Sequence, residues 1–161
     1  PPDDVTDQGR LAMLADPTGA AVGLWQPATH QGADVFNVPG SLTWNELQTR
    51  DIEAALPFYE QVFGWEWVDG SSEGYHVANL PAKQGEDKSN AGAMPTPPGV
   101  PDEVPNMWSV YFAVDDCDVS LAAGQELGGQ VFLPTMQFGM GQFGGLVDPT
   151  GGYFLVASFG G

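Results

Sequence analysis

Cations are scarce in this sequence. Four Lys and Arg residues stand against twenty-one Asp and Glu residues in 161, a formal charge of −17. A surface of that sign repels phosphates and anionic lipid, so neither nucleic acid nor a membrane surface is an expected partner. Solubility and adaptation to high salt both account for such a charge. The single Cys117 excludes an internal disulfide and fits a reducing compartment. Its neighbours Asp115, Asp116 and Asp118 disfavour a thiolate, so a small buried residue at a helix start is expected rather than a nucleophile. Two histidines, His30 and His76, leave little for a metal. No apolar run approaches the about 18 residues of a membrane span. The opening PPDDVTDQGR has neither the basic region nor the apolar stretch of a secretory signal, so a cytoplasmic location is expected. It also lacks an initiator Met, which reads as a processed or truncated chain. Gly-x-Ser-x-Gly is absent, and GMGQFGG (139–145) lacks the Lys and the strand-to-helix setting of a phosphate loop.

What remains is 42% hydrophobic and 11% aromatic, enough for one domain with a core and part of a second. The most informative stretch is SLTWNELQTRDIEAALPFYEQVFG (41–64). Its first half alternates, with Leu42, Trp44, Glu46 and Gln48 on one face and Thr43, Asn45 and Leu47 on the other. Its second half carries the helical stripe Ile52, Ala55, Leu56, Tyr59, Val62 and Phe63. Asp51 is placed to cap this helix and Gly64 to end it. Pro57 removes one backbone donor, so the regular helix is expected from about Ala54.

An internal repeat frames the chain. Gly9, Leu14, Asp16, Pro17, Thr18 and Gly19 recur 132 residues later as Gly141, Leu146, Asp148, Pro149, Thr150 and Gly151. Each DPTG is a turn between two strands. Residues 1–30 therefore read as the last hairpin of a truncated preceding module, with 1–8 a polar lead-in and 31–40 a linker. Residues 41–161 read as a complete module whose halves, 41–95 and 107–158, both run strand, helix, three strands. The second helix is expected at 117–127 with Cys117, Leu121, Gly124 and Leu127 inward and Gly128–Gly129 closing it. PTPPGVPDEVPN (95–106) reads as an extended linker between the halves. PAKQGEDKSNA (81–91) reads as a solvated turn. An isolated hairpin is marginal. The one at 9–26 is expected to pair with a sheet edge of the following module or of a second chain, including by exchange in a dimer.

TWNELQTRD, FYEQVFGW, VYFAVDD, ELGG and the two DPTG copies resemble the vicinal oxygen chelate superfamily of glyoxalases, extradiol dioxygenases and bleomycin-resistance proteins. More narrowly they are similar to its two-module, actinobacterial glyoxalase-like type. The resemblance implies an α+β fold of paired βαβββ units forming a curved, half-open mixed sheet with a central cleft. It also implies a divalent metal held on inward strand positions, which fall here on Trp44, Ser109, Leu155 and within NAGAM (90–94); Gly23 matches Leu155 in the first hairpin. Indole and isobutyl groups are not ligands and Ser seldom is, so no cofactor is expected. The alternative is a rearranged divalent site using His76 and Glu46.

The resemblance instead gives the cleft an aromatic lining. Trp44, Tyr111, Tyr153 and Leu155 lie on inward faces, with Glu46, Gln48 and Ser109 as polar points and Phe138, Met140 and Phe143 at the mouth. A metal-free protein binding a small, partly aromatic molecule is the first expectation. The second is a superfamily enzyme, a lyase, isomerase or dioxygenase-like protein, with Glu46 as a desolvated general base. A homodimer, or contact with the missing first module, is the expected assembly.

Overall fold

The repeat at 16–19 and 148–151 folds twice into the same turn. In a computed structural model describing residues 1–139 and 141–160, Asp16 Oδ1 accepts from the Thr18 amide and hydroxyl at 2.8 Å each and from the Ala20 amide at 3.0 Å. Asp148 Oδ1 accepts from the Thr150 amide and hydroxyl at 2.7 Å and the Gly152 amide at 2.9 Å. Gly19 and Gly151 take φ of 91° and 96°, a region open to glycine.

The chain is α+β, with eleven strands and two helices among the described residues. It divides into two compact units, residues 1–34 with 46–108, and residues 35–45 with 109–161.

In the first unit, β1 (Asp3–Val5), β2 (Gly9–Ala15) and β3 (Ala21–Pro27) form an antiparallel three-stranded sheet. The polar lead-in was not expected to form a strand; pairing with β2 makes β1 one. Four further strands run in the order β5-β6-β7-β4: β4 (Leu42–Thr49, of which residues 46–49 belong to this unit), β5 (Glu66–Asp69), β6 (His76–Asn79) and β7 (Ser89–Pro95). β4 pairs with β7 in parallel, Glu46 beside Gly92 and Leu47 beside Ala93.

Helix α1 (Ile52–Phe63) covers one face of this sheet. The Asp51 carboxylate accepts from the Ala54 amide at 3.0 Å, and Gly64 ends the helix at φ 67°. The helix starts at Ile52 rather than near Ala54. Pro57 sits inside it, where its missing N–H would have met only the first-turn carbonyl of Glu53.

Leu47, Ala55, Tyr59, Ala93 and Ala20 are buried together, with Val22, Trp65, Trp67 and Trp108 packed around them. Ala20 and Val22 come from the N-terminal hairpin. That hairpin docks through its side chains on α1 and keeps its own sheet; it does not add to an edge of the other sheet.

In the second unit, β8 (Met107–Ala113, of which residues 109–113 belong to this unit), α2 (Cys117–Glu126), β9 (Gln130–Phe138), β10 (Gly141–Val147) and β11 (Tyr153–Phe159) repeat the plan. The order is β9-β10-β11-β8, with β11 parallel to β8 and Leu155 beside Tyr111. α2 buries Cys117 and Leu121 against Leu146 and Val156. Leu127, expected inward, is 81% exposed, because the helix ends at Glu126 and Leu127 serves as its C-cap.

Candidate functional site

The strands of the second unit have two unlike faces. On β11, Phe154 and Val156 point to α2, so Tyr153, Leu155 and Ala157 point away from it. On that outer face Tyr111, Leu155 and Ala157 form a buried cluster, with Trp44, Leu133 and Phe143 packed against it. Tyr111 and Phe143 lie 6.3 Å apart, and Phe138 meets Phe143 edge-on at 5.9 Å. Ser109, two residues along β8 from Tyr111, is buried on the same side. Four of the expected residues, Trp44, Tyr111, Phe143 and Leu155, therefore meet in one cluster, with Phe138 at its margin. Tyr153 is 57% exposed and contacts Phe132 at 5.5 Å, apart from that cluster. Met140 lies outside the described residues.

In the first unit, Leu47 faces α1, so Glu46 and Gln48 project from the opposite face of β4. Glu46 is 5% exposed and its Oε1 accepts from Gln48 Nε2 at 3.3 Å. His76 pairs with Ala93, which faces α1, whereas Glu46 pairs with Gly92. Neighbours in register share a face, so His76 and Glu46 project from opposite sides of their sheet. The alternative divalent site joining them is not formed. His76 Nδ1 lies 3.7 Å from the exposed Asp69 carboxylate instead.

The residues at the positions where the fold implies metal ligands do not fit a divalent ion. Trp44 and Leu155 offer no lone pair suited to one, Ser109 offers a neutral hydroxyl, and NAGAM (90–94), where Gly92 lies in register with Glu46, offers no strong ligand. Among the described residues no group of three His, Cys, Asp or Glu side chains is arranged to hold one. What this outer face does offer is hydrophobic area, ring edges and a hydroxyl.

One feature sequence reasoning missed is Phe132, whose ring lies where a side chain on Gly145 would go. The open space at Gly145 and the kinked register between β9 and β10 bring it to the outer face. The glycine pair GG (144–145) was the available signal.

The chain belongs to the Glyoxalase/Bleomycin resistance protein/Dioxygenase superfamily, whose family model matches residues 41–154. It is 43% identical over 155 residues to "Putative glyoxylase CFP32" of Mycobacterium bovis, covering 95% of this chain and 57% of the relative. It is 36% identical over 160 residues to "Anthracycline biosynthesis protein DnrV" of Streptomyces peucetius, covering 96% and 54%. The chain thus spans a little over half the length of these relatives. The Mn(II)-bound glyoxalase of Novosphingobium aromaticivorans shares the fold with a TM-score of 0.63 at 17% identity, over 98% of this chain and 52% of that one. The 2,3-dioxygenase LapB of Pseudomonas sp. KL28 shares it at 0.60 and 16%, over 100% and 62%. No helix among the described residues is long and apolar enough to cross a membrane.

Proposed function

We propose that this chain binds a small, uncharged, partly aromatic molecule against the outer face of its second unit, without a metal. The observation that carries the reading is the Trp44, Tyr111, Leu155 and Phe143 cluster, two members of which, Trp44 and Leu155, stand where the family resemblance implies metal ligands. β8, β9, β10 and β11 contain no Asp, Glu, Lys or Arg, in a chain rich in acids. A charged ligand would find no partner on those strands, while a flat apolar one gains ring contacts. A relative named for anthracycline biosynthesis supports an aromatic ligand.

A thermal-shift screen with neutral planar aromatics tests this. A ligand at 100 times its Kd adds about 2.7 kcal/mol to stability. Trp44→Ala and Tyr111→Ala should each weaken binding by at least about tenfold, a loss of about 1.4 kcal/mol. Binding untouched by both substitutions, or stoichiometric zinc, iron, nickel or manganese in the purified protein, overturns the reading.

A second reading rests on Glu46. A carboxylate 5% exposed and bonded to Gln48 is a candidate general base of a superfamily enzyme. Glu46→Gln should then abolish turnover and preserve binding; full activity in that variant clears Glu46.

A further inference from the structure

Among the described residues the buried polar side chains are Asp16, Glu46, Thr49, Ser109 and Ser158. All but Ser109 are paired. Asp16 holds its turn, Glu46 accepts from Gln48, Thr49 accepts from the Asp51 amide at 3.2 Å, and the Ser158 hydroxyl lies 3.4 Å from Cys117 Sγ. Ser109 is 8% exposed, and its hydroxyl has no hydrogen-bond partner among the described residues. Such groups are rare, because a hydroxyl that loses water without replacing its bonds costs free energy. No fully enclosed side-chain N or O atom among the described residues lacks a partner. The Ser109 oxygen, having none, therefore still opens onto accessible space.

That space is on the outer face of the second unit, which Ser109 shares with Tyr111 two residues along β8. β8 and β11 run parallel with Tyr111 beside Leu155. Two residues back along each strand stand Ser109 and Tyr153, and the exposed Tyr153 ring meets Phe132. The hydroxyl thus lies where the buried Tyr111 and Leu155 give way to the exposed Tyr153 and Phe132.

We propose, on the reading that this face binds an uncharged aromatic molecule, that the ligand carries a neutral oxygen, a ring carbonyl or a phenolic hydroxyl, which hydrogen-bonds Ser109 Oγ. A serine hydroxyl donates one hydrogen bond and accepts two, so it serves either oxygen. A carboxylate or phosphate is disfavoured, because β8, β9, β10 and β11 carry no cation to neutralise it. A plain hydrocarbon would cover the hydroxyl and leave it unpaired, so the face discriminates against it.

Equilibrium dialysis of the 161-residue chain with naphthalene, 1-naphthol and 1-tetralone, in the natural sequence and in Ser109→Ala, tests this. Ser109→Ala should weaken 1-naphthol, 1-tetralone or both at least about threefold relative to naphthalene. A loss confined to 1-tetralone assigns a ring carbonyl, and one confined to 1-naphthol a phenolic hydroxyl. Ser109→Ala should melt no lower than the natural chain, since no bond within the protein is removed. A variant that melts several degrees lower, or does not fold, shows that the protein itself uses the hydroxyl, and overturns the proposal. If Tyr111→Ala weakens all three probes while Ser109→Ala changes none, or changes all alike, aromatic binding stands and the role of Ser109 falls. If none of the three binds the natural chain, both fall.

Discussion

The Tyr59 hydroxyl donates to Asp16 Oδ2 at 2.8 Å across 43 residues of sequence. The Tyr59 hydroxyl oxygen also accepts from Trp108 Nε1 at 2.8 Å. A turn, a helix and a strand are thus tied at one phenol, which stacks 5.4 Å from Trp65. Asp16 uses its other oxygen to hold its own turn, so neither carboxylate oxygen is left unpaired. This is how the N-terminal hairpin is fixed to α1.

Tyr59→Phe keeps the ring and removes both bonds. It leaves a buried carboxylate oxygen and an indole N–H without a partner, at an expected cost of about 2 to 4 kcal/mol. Urea unfolding measures this. A loss below about 0.5 kcal/mol would mean water replaces the hydroxyl.

The same phenol makes stability depend on pH. Burial first, and Asp16 second, push the Tyr59 proton above its ordinary 10.0, while the Trp108 N–H acts the other way. The folded state therefore holds this proton where the unfolded chain has released it. The stability it contributes is intact below about pH 10 and is lost as pH rises beyond that. Unfolding free energy should decline more steeply with alkali in the natural chain than in Tyr59→Phe. Parallel declines would show that other groups set the slope.

Arg50, one of four basic residues, anchors the proline-rich linker. Its guanidinium donates to the carbonyls of Val104 and Pro101 at 2.7 Å each, and its amide donates to Asn106 Oδ1 at 2.9 Å. Asn106 in turn donates to the Thr18 carbonyl at 2.8 Å. Arg50→Ala should cost about 1 to 2 kcal/mol and open residues 97–106 to limited proteolysis. Arg50→Lys should not restore protection, because a single ammonium cannot span two carbonyls as the fork does. Asp102→Ala should change little, since that carboxylate is fully exposed and 3.8 Å from the guanidinium.

Much of this was legible in the sequence, for local reasons. Asp51 and Gly64 announce helix ends because capping is a matter of neighbouring backbone groups. The alternation through Trp44 and Leu47, with the family positions at Ser109 and Leu155, located the aromatic cluster. What failed was non-local. Tyr59 read as one more apolar stripe residue, and Asp16 as a turn residue, because their bond joins distant segments. His76 and Glu46 read as a pair, yet face assignment depends on strand register, and one residue's offset reverses it. Asp3–Val5 has no pattern of its own and becomes a strand only beside β2.

The two helices also differ at matching positions, and the difference is testable. Tyr59 lies eight residues after its cap Asp51; the residue eight after Asp116 is Gly124. Tyr59 thus has no counterpart at that helix position, and Asp148 is half-buried, its carboxyl held below the usual range first by the Gly152 amide and then by Thr150. A Cβ on Gly124 would lie 2.8 Å from Leu146 Cδ1 and 2.9 Å from Cδ2. Ala in place of Gly inside a helix ordinarily adds up to about 1 kcal/mol. Here Leu146 is buried against Cys117, Leu121 and Val156 and cannot swing away. Overpacking of about 1 to 3 kcal/mol should outweigh the propensity gain, so Gly124→Ala should lower the melting temperature. Gly124→Ala with Leu146→Ala should show less than the sum of the two single losses, because the new methyl fills space the leucine vacates. Additive losses, or a stabilised Gly124→Ala, would mean that α2 can lift from β10 without cost.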